Sequence, residues 1–170
     1  MVILPLDEQR ARAKAIRLVV TDVDGTLTDG GVYYSEKGEE LVRFSRRDGL
    51  GVELLAKAGI PTAILTREDN AFAKARAKKL AIEHVFTGCR DKAAFLATII
   101  ERTGVPASGI GFIGDDVNDA DLMRLVALAG APRDAAGQAR DAAHMLTDAP
   151  GGHGAFRDFA EWILRLRGGT

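Results

Sequence analysis

Thr21-Asp22-Val23-Asp24-Gly25-Thr26-Leu27-Thr28-Asp29-Gly30 follows directly on the mainly apolar run Ile16–Val20. Apolar, β-branched residues ending in two carboxylates two positions apart predict a buried strand that delivers acids at its C-terminal end, where open α/β sheets place their sites. Side chains at i and i+2 of a strand share a face, so Asp22 and Asp24 start out close together. Two unpaired carboxylates that close repel, and the pair calls for a cation or a shared proton. Gly25 lets the backbone turn, and Thr26 offers a hydroxyl. An aspartate there can act as a covalent nucleophile while a second carboxylate moves protons to the leaving group and from water. A bare Asp-x-Asp is equally a strand-end Asx turn; the longer string favours chemistry.

The chain has 170 residues, 46% of them apolar, which suffices for one domain with a full core, 1–170. A formal net charge of −1 gives no global attraction to nucleic acid or to an anionic membrane. The lone cysteine, Cys89, excludes an intrachain disulfide framework, reads as a packed small residue and fits a reducing compartment. No apolar run approaches the ~20 residues of a membrane span, and 1–15 lacks a signal-peptide core. A cytoplasmic protein is expected.

Outward from the opening stretch, the charged residues Asp7–Lys14 predict a short surface helix. On the other side, 30–46 has a different character: Val32, Tyr33 and Tyr34, then the turn-rich Ser35-Glu36-Lys37-Gly38, then Leu41-Val42-Arg43-Phe44 alternating apolar with basic. This predicts a β-hairpin inserted after the first strand. It is either a simple flap or a rim for the site that meets neighbouring subunits through exposed aromatics. The gap leaves no room for a separate cap domain.

Asp48 is the expected N-cap of the next helix, with Leu50, Leu54 and Leu55 on its apolar face and Gly59 at its end. Arg47 pairs either with a substrate anion or merely with Asp48 or solvent. Pro61–Leu65 predicts a second parallel strand whose tip, Thr66, can donate a hydroxyl to a phosphate oxygen or act as a cap. A basic helix is expected over about 69–80, carrying Lys74, Arg76, Lys78 and Lys79. On one helix Glu68 and Lys79 would sit about 20° apart around the axis but about 16 Å along it, too far to hold one end of a small ligand easily.

His84–Phe86 reads as a short strand, and Asp91-Lys92 as the opening of a helix over 93–103. A lysine in a first turn is disfavoured by the helix dipole, which points to a task other than helix stability. Gly109–Ile113 forms another strand ending in Gly114-Asp115-Asp116-Val117-Asn118-Asp119. This stretch resembles the acidic fourth motif of Mg²⁺-dependent phosphohydrolases, which implies Asp115 as ligand in an octahedral oxygen site, Asp116 as a direct or water-mediated partner, and Asn118 and Asp119 as supports that orient it. A calcium loop is excluded by the lack of spaced ligands and a terminal glutamate. A helix over 120–125, a polar helix over 134–142 and a strand at 144–147 follow. In the segment 150–170, Gly151-Gly152-His153-Gly154 is either a mobile strap near the site or an ordinary linker. Phe156, Phe159, Ile163 and Leu166 then recur at helical spacing and predict a final helix docked by its apolar face, with Trp162 at the margin. The histidines read as structural or surface residues.

DVDGT after an apolar strand, a strand-tip Thr66, Lys92 and GDDVND occur in the order of the four motifs of the haloacid dehalogenase (HAD) phosphohydrolases, which the chain resembles over nearly its whole length. The resemblance implies a Rossmann-like three-layer α/β core with a parallel sheet, a projecting β-hairpin and no separate cap domain. It implies Asp22 as nucleophile, Asp24 as general acid/base, Thr66 and Lys92 on the phosphate, and Mg²⁺ held by the Asp22 carboxylate, the Asp24 backbone carbonyl and Asp115. DVDGTLTDG, YYSEKGEE, RDGLG and GGHGAFRD further resemble the capless branch acting on phosphorylated keto-deoxy sugar acids. There, tetramers use projecting hairpins and neighbouring subunits as substitute caps, so a homotetramer is expected. KDO (octulosonate) 8-phosphate phosphatases usually carry Thr-Gly-Arg as second motif. Thr66-Arg67-Glu68, with Arg76 and Lys79 downstream, is more similar to the type that hydrolyses 2-keto-3-deoxynononate 9-phosphate and to related sialic-acid-pathway domains. Arg47, Glu68, Arg76 and Lys79 are therefore the expected substrate-binding residues, and Arg67 stands where the family has glycine. Two other classes are weighed. A receiver domain lacks this order of motifs. A noncatalytic oligomerisation module of a sugar-acid cytidylyltransferase would not need the intact acids.

Overall fold

In the computed structural model, which describes residues 1–168, six parallel strands form one sheet. In chain order the elements are α1 (Leu6–Ala15), β1 (Leu18–Thr21), β2 (Tyr33–Tyr34), β3 (Glu40–Leu41), α2 (Arg46–Lys57), β4 (Thr62–Leu65), α3 (Ala71–Lys79), β5 (His84–Phe86), α4 (Leu96–Thr103), β6 (Ile110–Ile113), α5 (Ala120–Leu125), β7 (Leu128–Ala131), α6 (Gly137–Ala142), β8 (Met145–Leu146) and α7 (Ala155–Leu166). The sheet order β5-β4-β1-β6-β7-β8 runs outward in both directions from β1. Its switch point therefore lies between β1 and β6, and a ligand crevice is expected outside their carboxyl ends. The two acidic stretches begin there, at Asp22 and Gly114.

Strand side chains alternate between the two faces, which sorts β1 into two cores. Val19 packs on one face with Leu55 of α2, Ala73 and Ala77 of α3, and Phe156, Phe159 and Ile163 of α7. Leu18 and Val20 pack on the other with Ile99 of α4, Met123 of α5 and Ala139 of α6. The result is the three-layer architecture expected from the HAD resemblance. Two strand glycines let α7 approach closely: a Cβ on Gly130 would lie 2.5 Å from a Phe159 ring carbon, and one on Gly111 3.2 Å from Ile163.

The hairpin is a two-rung ladder, Tyr33 opposite Leu41 and Tyr34 opposite Glu40, closed by a turn at Ser35–Gly38. Val32, Tyr33, Tyr34 and Leu41 are exposed on it.

Several local expectations are corrected. Ser45, not Asp48, caps α2: its Oγ accepts from the Arg47 N–H, and Asp48 lies inside the first turn. The buried stripe of α2 is Asp48, Gly51, Val52 and Leu55, while Leu50 faces outward. A turn over 92–95 separates Lys92 from α4, which starts at Leu96, so the helix-dipole argument for Lys92 fails. Glu68 precedes Asn70, the N-cap of α3, and is not on that helix. α6 begins at Gly137, later than 134, because 133–134 forms a turn and 135–136 is irregular.

Candidate active site

Asp22 continues β1 by one residue, its N–H donating to Ile113 O across the switch point at 2.9 Å. The chain then reverses in a tight knot, with the N–H groups of Thr26, Leu27 and Thr28 all directed at Val23 O. Gly25 sits at φ +83°, and a Cβ there would fall 2.0 Å from Asp115 Oδ2. Glycine is required on both counts, because an L side chain disfavours that φ and the acid from β6 occupies its space.

Asp22, Asp115 and Asp119 bring carboxylate oxygens within 4.8 Å of one another. Lys92 is 1% exposed, and its Nζ donates to Asp22 Oδ1 at 2.6 Å and to Asp119 Oδ1 at 2.5 Å. Burial by itself would lower the lysine pKa, but Asp22 and Asp119 together drive it above its ordinary value, so Lys92 is a fixed cation. One ammonium against three carboxylates leaves the centre electron-rich. Burial pushes the Asp22 carboxyl well up; Lys92 opposes this, and Asp119 and Asp115 add to it. Asp115 is pushed up to about 6, by burial first and then by Asp119. A hard divalent cation among these oxygens would relieve the repulsion, and an all-oxygen donor set fits Mg²⁺.

The three acids are not equivalent. Asp119 Oδ2 accepts from the N–H groups of Asp115 and Asp116, each at 3.1 Å, and Oδ1 is taken by Lys92. Asp119 and Lys92 thus lie beneath the cavity floor, while Asp22 and Asp115 open into it. Asp116 opens the 3₁₀ turn 117–119, accepting from the Val117 N–H, and also faces the cavity. Asn118 lines it too, and its buried Oδ1 has no hydrogen-bond partner among the described residues. Such an acceptor suits a water of the metal's hydration shell.

The cavity measures about 470 Å³. Asp24 is half-buried at its wall, its carboxyl raised by burial first and then by Glu68, against the pull of Lys92. Thr66 directly follows β4 and faces the cavity; its Oγ1 accepts from the Glu68 N–H at 3.3 Å, leaving the hydroxyl hydrogen free to donate. Tyr34 and Glu40 of the hairpin and Phe72 of α3 complete the rim.

The basic residues expected to bind substrate are elsewhere. Arg47 is exposed on α2. Arg76 donates to Ser45 O at 2.7 Å and stands 5.4 Å from the centre of the Phe44 ring, tying α3 to the start of α2. Arg76 and Lys79 line a neighbouring groove of about 330 Å³ between the hairpin and α3. Glu68 and Lys79 therefore face different concavities of the same chain. Glu40, Tyr34 and the cradle at Gly25 escaped sequence reasoning; the positions of the first two depend on how the hairpin folds back, which local pattern does not encode.

The glycine run is no free linker. Gly152 N–H donates to Thr26 O at 2.9 Å, and Arg43 bridges Asp29 Oδ2 at 2.9 Å and Gly152 O at 3.3 Å.

No family model matches the chain. It is 35% identical over 153 residues to the 3-deoxy-D-manno-octulosonate 8-phosphate phosphatase KdsC of Haemophilus influenzae, an alignment covering 90% of this chain and 85% of that protein. It is also 35% identical over 168 residues to KdsC of Yersinia pestis, with 96% and 90% covered. Among solved structures, the octulosonate 8-phosphate phosphatase of Moraxella catarrhalis, in complex with magnesium, phosphate and KDO, superposes with a TM-score of 0.91 at 34% identity, covering 96% of this chain and 94% of that one.

Proposed function

The chain is a phosphatase of the haloacid dehalogenase superfamily and belongs to its capless, KDO 8-phosphate phosphatase-like branch; from that premise we propose that it is a Mg²⁺-dependent hydrolase of phosphorylated keto-deoxy sugar acids, working through an aspartyl phosphate on Asp22. The observation that carries this reading is the centre itself: Asp22, Asp115 and Asp119 gathered around a single buried ammonium.

When bound, Mg²⁺ supplies the positive charge that lets the Asp22 carboxylate and a phosphate dianion meet. Asp22 and Asp115 would hold it, with the Asp24 backbone carbonyl; Asp116 and Asn118 face the same space and Asp119 orients the floor. Lys92 keeps one oxygen of Asp22 fixed and favours its ionised form. The other oxygen attacks phosphorus, and the phosphorus–oxygen bond to the sugar breaks in line. Asp24, its carboxyl raised, gives its proton to the departing alkoxide and then removes one from the water that attacks phosphorus, which releases phosphate and restores Asp22. Thr66 donates to a non-bridging phosphoryl oxygen.

For the sugar, the preferred reading is a nine-carbon acid, 2-keto-3-deoxynononate 9-phosphate or a sialic-acid-type 9-phosphate. Glu68 supports it, because this residue lines the cavity where the Thr-Gly-Arg motif of octulosonate phosphatases would place an arginine. The names of the relatives favour the octulosonate 8-phosphate as second reading. A homotetramer is proposed on two grounds. The hairpin exposes Tyr33, Tyr34 and Leu41, and the cavity of one chain sets Arg67 against the acids Asp22, Asp24, Glu40, Glu68, Asp115 and Asp116, so that cations such as Arg47, Arg76 or Lys79 of a neighbour would help to receive a sugar carboxylate. The single thiol, Cys89, suits a cytoplasmic setting. No helix among the described residues is long and apolar enough to cross a membrane.

Parallel assays of Mg²⁺-dependent phosphate release from 2-keto-3-deoxynononate 9-phosphate, N-acetylneuraminate 9-phosphate and octulosonate 8-phosphate test the proposal. A higher kcat/KM on a nine-carbon substrate is expected. Preference for the octulosonate overturns the sugar assignment, and no release from any of the three favours a noncatalytic oligomerisation module.

A further inference from the structure

Asp48 is 1% exposed and lines neither the cavity nor the neighbouring groove. Its carboxylate lies at the N-terminus of α7, far along the chain: Oδ2 accepts from the Gly154 N–H at 3.2 Å and Oδ1 from the Arg157 N–H at 3.3 Å. Gly154, the residue that opens α7, has φ +120° and no side chain with which to cap its own helix. The cap is therefore supplied from α2. The geometry is tight, since a Cβ on Gly51 would lie 2.9 Å from Arg157 Cα.

Immediately upstream, the glycine run rests backbone to backbone on the loop that follows the nucleophile. A Cβ on Gly151 would lie 1.9 Å from Gly25 O, and one on Gly152 2.4 Å from Asp29 N. Asp134 fixes the upstream edge of the run, its Oδ1 accepting from the Gly151 N–H at 2.9 Å; Asp48 fixes the downstream edge at Gly154. The opposite side of the same loop supports the acid from β6. Gly25 leaves room for the Asp115 carboxylate, and Thr26 Oγ1 donates to Asp115 Oδ1 at 3.3 Å.

We infer that Asp48 is a positioning residue for the reaction: it clamps the start of α7 so that the strap 151–154 holds the loop 25–29, and through it Asp22, Asp24 and Asp115, in register. The inference rests on the phosphatase reading for its kinetic consequence but not for its structural one. A misplacement of order 1 Å at a reacting centre costs about 10²-fold in rate, whereas a cap that serves only stability costs nothing in the folded enzyme.

The test compares wild type, Asp48→Ala, Asp48→Asn and Gly151→Ala as full chains, with Ile99→Val in the opposite core as a destabilised control. Phosphate release with Mg²⁺ and whichever of 2-keto-3-deoxynononate 9-phosphate, N-acetylneuraminate 9-phosphate and octulosonate 8-phosphate the wild type turns over best gives kcat and KM, and amide hydrogen exchange is followed over 25–29 and 150–157. Asp48→Ala is expected to lower kcat by about 10- to 100-fold with KM moved less than about threefold, and to speed exchange in both segments. Asp48→Asn, which keeps one acceptor oxygen, should recover part of kcat. Gly151→Ala, which displaces the strap with Asp48 intact, should reproduce the kinetic loss, and it carries the kinetic test if Asp48→Ala does not fold. Ile99→Val should leave kcat within about twofold. Unchanged kcat in folded Asp48→Ala, or faster exchange in 150–157 with 25–29 still protected, overturns the inference. Absence of turnover in wild type on all three sugar-acid phosphates overturns the phosphatase reading, and exchange then decides the clamp by itself.

Discussion

Replacing Lys92 by methionine removes the ammonium that pairs with Asp22 and Asp119 beside Asp115 while keeping most of the side-chain volume. Lys92 is buried and bonded to two of those acids at 2.5 and 2.6 Å. Removing one partner of such a group strands buried charge and costs about 3–5 kcal/mol at neutral pH. The carboxylates limit that cost by binding protons, which fixes the sign of the pH dependence. Asp22 and Asp115 already titrate above their ordinary range with Lys92 present. Without it they rise further, and the native variant holds protons that the unfolded chain has released. Its stability must then fall as pH rises, and one extra proton held throughout pH 5 to 7 makes that fall about 2.7 kcal/mol. Denaturant unfolding of metal-free wild type and Lys92→Met at pH 5, 6 and 7 measures the difference directly. The destabilisation should grow with pH and shrink when Mg²⁺ is added, because a cation bound to the native state stabilises it. A variant within about 1 kcal/mol of wild type at pH 7, with no steeper pH dependence, would refute the electrostatic account of the centre.

Asp24→Asn should lower kcat by about 10²- to 10⁴-fold and remove from the pH–rate profile the limb set by the raised Asp24 carboxyl; an unchanged profile counts against its role as acid and base. Gly25→Ala places a Cβ 2.0 Å from Asp115 Oδ2 at a φ of +83°, and should weaken Mg²⁺ binding about 10- to 100-fold by calorimetry. Asp48, raised by burial to about 6 from an ordinary 3.8, keeps its proton in the native state over that window while the unfolded chain loses it. It therefore contributes stability below pH 3.8 that is lost as pH rises to 6, on the order of 3 kcal/mol. Asp48→Asn should flatten that part of the stability profile, and parallel wild-type and variant curves between pH 4 and 6 would show the carboxyl to be unperturbed.

The parallel strands were legible from local pattern, apolar runs ending in acids; the meeting of Asp22 with Asp115 was carried by the HAD resemblance, because which strands become neighbours in a sheet is not written in local pattern. The docking face of α7 was legible from its 3.6-residue period. Asp48 was misread because its partners lie more than a hundred residues away, and a sequence window sees only the helix in which it sits. Lys92 was assigned to the right neighbourhood for a wrong local reason, since a turn intervenes before α4. The glycines of β6 and β7 had no sequence explanation; Phe159 and Ile163 provide it in three dimensions. Arg76 matched a substrate-binding pattern, yet within one chain it bonds Ser45 O and lies over Phe44. Whether that groove serves a neighbouring cavity is a property of an assembly, which the pattern of one chain cannot display.

The central claim is the covalent step at Asp22. Acid quench of Mg²⁺-loaded Asp24→Asn during turnover of a substrate labelled at phosphorus tests it most directly, because loss of the general base should let the intermediate accumulate. The account predicts label bound to the protein, released by hydroxylamine, mapping to Asp22 and absent from the Asp22→Asn, Asp24→Asn double variant. Phosphate release with no protein-bound label at any time, or turnover retained by Asp22→Asn alone, would contradict it.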